Sequence, residues 1–253
     1  MGRDTDKDWD VVANENPYWG VLSADQFRGT DVKPEARDQF LRSGEKFVAD
    51  TVAFVIRHIS PEFKITRALD FGCGVGRLLL PLARISEEAV GVDVAPRMLE
   101  LARQNLDAAG LTNASLVLGN DALSHVDGEF DFINSYIVFQ HIPPERGIAI
   151  MAKLLNRLRV GGVFSLQMTY AKERKFLLHE GRVANYYRRS GNIIHDLVPS
   201  GAELPEGTIT MFEYDLNEVM LIVMRVAGEP MMLLPTDHDG HIGVHLIGMK
   251  ARA

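Results

Sequence analysis

Between residues 67 and 170 short apolar runs alternate with helical stretches, and this alternation confines the chain to very few folds. Strands are expected over 67–71, 89–94, 115–118, 130–135 and 162–170, with helices beginning at Gly76 and spanning 97–109 and 144–158. A helix between two such strands must cross back over the sheet it leaves, so the strands run parallel and helices cover both faces. Further on, a helix over 215–227 precedes an apolar run over 230–234, the turn residues Thr236, Asp237, His238, Asp239 and Gly240, and an alternating run over 242–249. Two runs joined by so short an Asp-Gly turn form an antiparallel hairpin. The expected fold class is α/β: a doubly wound αβα sandwich with a seven-stranded, mostly parallel sheet and one antiparallel edge strand.

Before this region, apolar residues recur from Phe40 through Val48, Val52, Val55 and Ile59, one stripe of a long helix over 35–59 that Pro61 stops. Residues 1–62 therefore read as an N-terminal segment and helix packed on a core of 63–253. Trp9 and the run Pro17, Tyr18, Trp19, Gly20 place both tryptophans in a polar stretch that either folds over the cleft as a lid, with Tyr18 and Trp19 as candidate substrate contacts, or packs on the outside of the sheet. Loss of residues 1–22 is expected to leave a folded protein. Residues 171–214 carry Lys172, Arg174, Lys175, Arg182, Arg188 and Arg189 with weak periodicity, and form a candidate substrate cover. Tyr186 and Arg188 are its candidate substrate contacts.

The chemistry concentrates in Asp70-Phe71-Gly72-Cys73-Gly74-Val75-Gly76, an acid ending a strand and three alternate glycines before a helix. Glycines allow backbone angles and close approach that side chains block, and the helix start presents free N–H groups. A dinucleotide fold instead spaces its glycines Gly-x-Gly-x-x-Gly beside a pyrophosphate. Asp70 here suits a cationic amino group. Asp93, closing the second strand with Val94 beside it, can accept from both hydroxyls of a ribose. Asp121 and Ala122 follow the third strand, where the carboxylate can accept from an adenine amino group while the Ala122 N–H meets the ring.

With these residues the chain resembles the class I S-adenosylmethionine-dependent methyltransferases, in particular their small-molecule, quinone-biosynthesis-like branch. The matching positions are Asp70 to Gly76, Asp93, Asp121 with Ala122, and the run from Phe130 to Ile142. The resemblance implies a Rossmann-like methyltransferase domain with S-adenosyl-L-methionine as cofactor. Gly72, Cys73, Gly74 and Gly76 would run under its methionine part, and Asn134 and Ser135 would face the sulfonium. The implied reaction moves a methyl group to a small-molecule acceptor by in-line displacement. His141, just after the fourth strand, is the candidate general base, with loop packing as its other reading.

Other classes fit less well. The formal charge of −7, from 27 basic and 34 acidic residues, offers no general attraction for nucleic acid or an anionic membrane. A single cysteine, Cys73, permits no intrachain disulfide and reads as a small space-filling residue, and with no signal peptide or apolar span the expected setting is cytoplasmic. No metal is expected: His238, His241 and His245 read as polar, solvent-facing positions of the hairpin. The rival functions are an NAD-dependent oxidoreductase, which would want a different glycine spacing, and a non-catalytic module that binds S-adenosylmethionine. Oligomeric state has no signal in the sequence.

Overall fold

The computed structural model describes residues 4–173, 182–189, 192–199 and 206–251, with the backbone alone over 182–189 and 192–199. Its centre is a seven-stranded sheet of β1 (Arg67–Phe71), β2 (Glu88–Asp93), β3 (Ala114–Leu118), β4 (Phe130–Ser135), β5 (Leu158–Lys172), β8 (Met231–His238) and β9 (His241–Met249). The strand order is β3-β2-β1-β4-β5-β9-β8. Strands β1 to β5 are parallel, and β9 runs against β5. The reversed strand is thus inside the sheet, and its hairpin partner β8 forms the edge. The cover segment contains a separate antiparallel pair, β6 (Arg182–Arg189) and β7 (Asn192–Pro199).

Period-two alternation along the strands assigns each helix its face. Leu69, Val90, Val92 and Ile133 point to the side covered by α6 (Pro144–Asn156) and α7 (Leu216–Val226), where Ile150, Leu154, Val219 and Val223 complete the core. Ala68, Phe132 and Val163 point the other way, to α3 (Pro34–His58) and α4 (Leu79–Ile85). The helix α5 (Pro96–Ala108) joins that face through Leu106, against Leu79 and Ala114. Proline at the first turn starts α3, α5 and α6, a position where its missing N–H costs nothing.

The polar N-terminus folds more fully than its composition announces. It forms α1 (Thr5–Glu15), α2 (Pro17–Val21) and a 3-10 turn, Asp25–Phe27. Tyr18 and Trp19 are buried with Phe27, Phe40, Val75, Ala95 and Met98. The long helix α3, the glycine loop and the start of α5 supply the apolar partners that 1–22 lacks by itself. Deleting 1–22 would therefore remove part of a core.

Candidate active site

The strand order reverses between β1 and β4, and crevices outside the strand C-termini at such a switch point are where open α/β sheets hold ligands. A cleft lies there, lined by the glycine loop, the ends of β1 and β2, and residues of the N-terminal helices. The glycine loop forms its base. Gly72, Gly74 and Gly76 have φ of 73°, 52° and 90°, the left-handed region that glycine occupies without strain. A Cβ on Gly72 would stand 2.4 Å from the Val138 side chain, and one on Gly74 would stand 2.5 Å from Val21.

Asp93 fixes this loop. Its Oδ2 accepts from the Gly74 N–H at 2.8 Å and its Oδ1 from the Ala95 N–H at 2.9 Å. Burial raises its pKa to about 6 against those stabilising hydrogen bonds. Asp70 lies deeper. Desolvation lifts it to about 7, opposed by a hydrogen bond from Asn134 and by the charge of Arg77. Two carboxylates held near neutral pKa at one cleft are poised for a ligand that brings positive charge and hydroxyl donors.

Asn134 stands opposite Asp70 in the β1–β4 register and donates to Asp70 Oδ1 at 2.8 Å. The Ser165 hydroxyl donates to Asn134 Oδ1 at 3.0 Å, so His245 Nε2, 2.8 Å from Ser165, supplies its own proton to that hydroxyl. The chain His245–Ser165–Asn134–Asp70 thus crosses four strands beneath the cleft. His241 and His245 are buried, not solvent-facing, because β9 is an interior strand and Phe47 of α3 stacks on His245.

Of the positions expected at the cofactor, Gly72, Gly74, Asp93, Val94 and Asp121 line the cleft. Asp70, Cys73, Gly76, Asn134 and Ser135 lie beneath or beside it. Asn134 is committed to Asp70 and Ser165, which turns it away from the place expected for a sulfonium. Cys73 is buried, and desolvation holds its thiol well above the usual range, consistent with a packing residue. Both Asp121 oxygens accept from Arg146, at 2.7 and 2.8 Å, and the Ala122 N–H donates to Asn120 Oδ1 at 3.0 Å. The Ala122 N–H is thus engaged, while each Asp121 oxygen keeps a lone pair toward the cleft.

Arg146 is the residue that sequence reasoning missed. From α6 it also reaches Asp6 at 2.9 Å and Thr5 at 3.2 Å, tying α1 across the cleft to the loop after β3. Thr5, Asp6, Trp9, Gly20 and Val21 complete the cleft wall. The N-terminal segment does cover the site, through residues other than those expected. Tyr18 turns inward and donates to Asn105 at 3.2 Å, away from the cleft, while Trp19 lines an adjoining one. The roles expected of Tyr186 and Arg188 lie outside the described residues.

His141 lines the cleft but both ring nitrogens are engaged. The Thr210 carbonyl can only accept, so Nδ1 donates to it at 3.1 Å and Nε2 accepts from Gln140 at 3.2 Å. Trp9 meets the ring edge-on at 5.1 Å between centroids. Burial pushes the His141 pKa down to about 4, so the ring is neutral at pH 7 and a weak base.

The sheet order, the reversed strand and the glycine cradle at the switch point define the class I S-adenosylmethionine-dependent methyltransferase fold. Residues 68–162 match the family model described as a methyltransferase domain. The chain is 35% identical over 105 residues to the ubiquinone biosynthesis O-methyltransferase of Roseobacter denitrificans, covering 41% of this chain and 42% of that protein. It thus spans about two fifths of the length of the curated relatives it matches. The magnesium protoporphyrin IX methyltransferase of Synechocystis superposes over 99% of both chains with a TM-score of 0.61 at 16% identity. A S-adenosylmethionine-dependent methyltransferase from Clostridium acetobutylicum covers 85% of this chain and 99% of its own, with a TM-score of 0.57 at 12% identity.

Proposed function

We propose that the protein is an S-adenosylmethionine-dependent methyltransferase acting on a small molecule. The observation that carries this reading is the pairing of a backbone-only glycine cradle with Asp93, which lines the cleft and whose Oδ2 holds that cradle at Gly74 while its Oδ1 holds Ala95. When bound, the cofactor supplies a methyl group activated by its own sulfonium charge. The chain supplies position and a dry site. Gly72 and Gly74 let the backbone lie against the ligand, and Asp93 accepts from ribose hydroxyls through its remaining lone pairs. The buried Asp70 sets a negative potential under the methionine end, and α1 with Trp9 and Val21 keeps water out.

The bound cofactor, held by Gly72, Gly74 and Asp93, would supply its sulfonium methyl to the acceptor and leave as a neutral thioether, the acceptor's proton passing to solvent. Holding nucleophile and methyl in line at ~3 to 3.5 Å replaces much of the entropy cost of an encounter. His141 serves as a positioning residue: its bonds to Gln140 and Thr210 lock the 3-10 turn Phe139–His141 to the strand-like stretch before α7. This replaces the general-base reading.

The test is titration calorimetry of the purified protein with S-adenosylmethionine, S-adenosylhomocysteine and NADH in parallel. Saturable binding of the first two without the third is expected. Binding of NADH alone would reject the proposal.

A further inference from the structure

Four buried polar side chains lie in a row across the sheet: Asp70 on β1, Asn134 on β4, Ser165 on β5 and His245 on β9. The register sets Asp70 opposite Asn134 and Asn134 opposite Ser165, while His245 stands two residues along β9 from Ile247, the partner of Ser165. Bonds of 2.8, 3.0 and 2.8 Å join the four in that order. Because the row is buried, solvent cannot satisfy a group that these bonds leave open.

The row differs from the supports of Asp93 in one chemical respect. Asp93 accepts from the Gly74 and Ala95 N–H groups, which can only donate and so favour its ionised form alone. Every member behind Asp70 can both donate and accept: the Asn134 amide, the Ser165 hydroxyl, and the His245 imidazole, which burial keeps neutral by pushing its pKa down to about 4. With Asp70 ionised, the bonds run from His245 Nε2–H through Ser165 and Asn134 to the carboxylate. With Asp70 protonated they can run the other way: the acid donates, the Asn134 amide turns over, Ser165 donates to His245, and the imidazole carries its proton on Nδ1. Each arrangement satisfies all four groups. An end group that could only donate would satisfy just the first.

Both forms of Asp70 matter near neutral pH. Burial lifts it to about 7, opposed by the Asn134 hydrogen bond and the charge of Arg77 and reinforced by Asp93. Around His245, Phe47 of α3 stacks on the ring, and Tyr136 meets it edge-on at 5.3 Å between centroids. Burial raises Tyr136 above its ordinary value, so it stays protonated across this range.

We propose that His245, acting through Ser165 and Asn134, is a positioning residue for the methionine end of the cofactor. As the far end of a reversible chain of bonds, it lets Asp70 release its proton to solvent when a cationic amino group arrives and regain it when the ligand leaves. No buried group of the row is left unmet in either state. His245 keeps its charge and moves its one N–H proton from Nδ1 to Nε2. That the ligand is S-adenosylmethionine rests on the methyl-transfer reading; the reversal with the charge of Asp70 does not.

The experiment follows the His245 ring by nitrogen NMR in the full chain carrying isotopically labelled histidine, its signals assigned by their loss in His245→Gln. The Nδ1–H form is expected in the free protein at pH 5.5 and the Nε2–H form at pH 8, and saturation with S-adenosylhomocysteine at pH 5.5 should bring the ring to Nε2–H. One unchanging tautomer across the pH change or on saturation, or a pH change of tautomer that survives in Asp70→Asn, would overturn the proposal. Two variants separate this role from packing. His245→Gln, which can donate or accept, should keep the pH midpoint of S-adenosylhomocysteine affinity. His245→Phe keeps a ring against Phe47 but leaves the Ser165 proton without an acceptor when Asp70 is protonated, so the midpoint should fall by at least about half a pH unit. Equal midpoints in the two variants would also overturn the proposal, because ring packing alone gives no difference in pH response. Should His245→Phe not fold, the tautomer measurement on the unaltered chain decides. Failure of S-adenosylhomocysteine to bind would strike the methyl-transfer reading instead, while the pH arm on the free protein still tests the reversal.

Discussion

Asp93 does two jobs with one carboxylate, and its variants separate them. Asp93→Ala removes the acceptors for the Gly74 and Ala95 N–H groups together with those for the ligand, so cofactor affinity should fall by about 2 to 4 kcal/mol. Asp93→Asn keeps one acceptor oxygen and should fall between. Calorimetry on folded variants decides; unchanged affinity in Asp93→Ala would remove the ribose assignment. Gly72→Ala tests the cradle itself. Its φ of 73° and the 2.4 Å approach to Val138 leave no place for a methyl, so at least a tenfold loss of cofactor affinity is expected with the circular dichroism spectrum unchanged. That Gly72, Asp93 and Asp121 would stand together at one cleft was legible in the sequence, because strand ends and glycine spacing announce a loop at the sheet's edge. The Asn134 and Ala122 roles were not, since which way a short polar side chain or a single N–H points depends on partners such as Asp70 and Asn120 elsewhere along the chain.

Among the elements, α1 is tied over the cleft by charge as well as by the packing of Trp9, Val12 and Ala13. Arg146 pairs with Asp6 and Asp121 at once, and its guanidinium is pulled further toward the charged form by both. These pairs are partly exposed, so each is worth only about 0–1 kcal/mol and is screened by salt. Arg146→Gln should therefore lower the melting temperature little, yet speed amide exchange across residues 5–15 and hasten cofactor release. Exchange unchanged over 5–15 would dismiss the latch. The next element behaves differently. Removing residues 1–14 should preserve the fold and weaken cofactor binding, whereas removing 1–22 also strips Tyr18 and Trp19 from the cluster around Phe40, where a lost aromatic costs about 3–5 kcal/mol. Thermal melts of the two truncations distinguish these cases. The strands and α3, α5, α6 and α7 were legible from periodicity to within a few residues. α1 and α2 were not, because their apolar residues find partners far along the chain, on α3, the glycine loop and α5. The β6–β7 pair was hidden too, with no strong alternation in its strands and no Asn-Gly or Asp-Gly signal at its turn.

Across the whole molecule, ligand binding, folding and pH are linked through Asp70 and Asp93. Unfolded, both titrate near the ordinary value of 3.8; folded, they keep their protons up to about 7 and about 6. Between pH 4 and 7 the folded chain binds more protons at these two sites, so their contribution to stability declines as pH rises through that window. A ligand that brings an ammonium group and ribose hydroxyls favours the ionised carboxylates and reverses that loss. S-adenosylhomocysteine at 100 times its dissociation constant should stabilise the protein by about 2.7 kcal/mol, which for a chain of this size raises the melting temperature by roughly 2–4 °C per kcal/mol. At a fixed ligand concentration the rise should be larger at pH 8 than at pH 5.5, because at the lower pH binding must first expel protons from both acids. The depressed His141, His241 and His245 act in the opposite sense on the free protein, losing stability as pH falls below their ordinary 6.5, but they enter both arms of the comparison equally. Taking the difference between liganded and free melts at each pH isolates the two aspartates. An equal or smaller rise at pH 8 would mean that the cleft does not recognise its ligand through these carboxylates, and Asp93→Asn, which cannot ionise, should flatten the pH dependence to that of Asp70 alone.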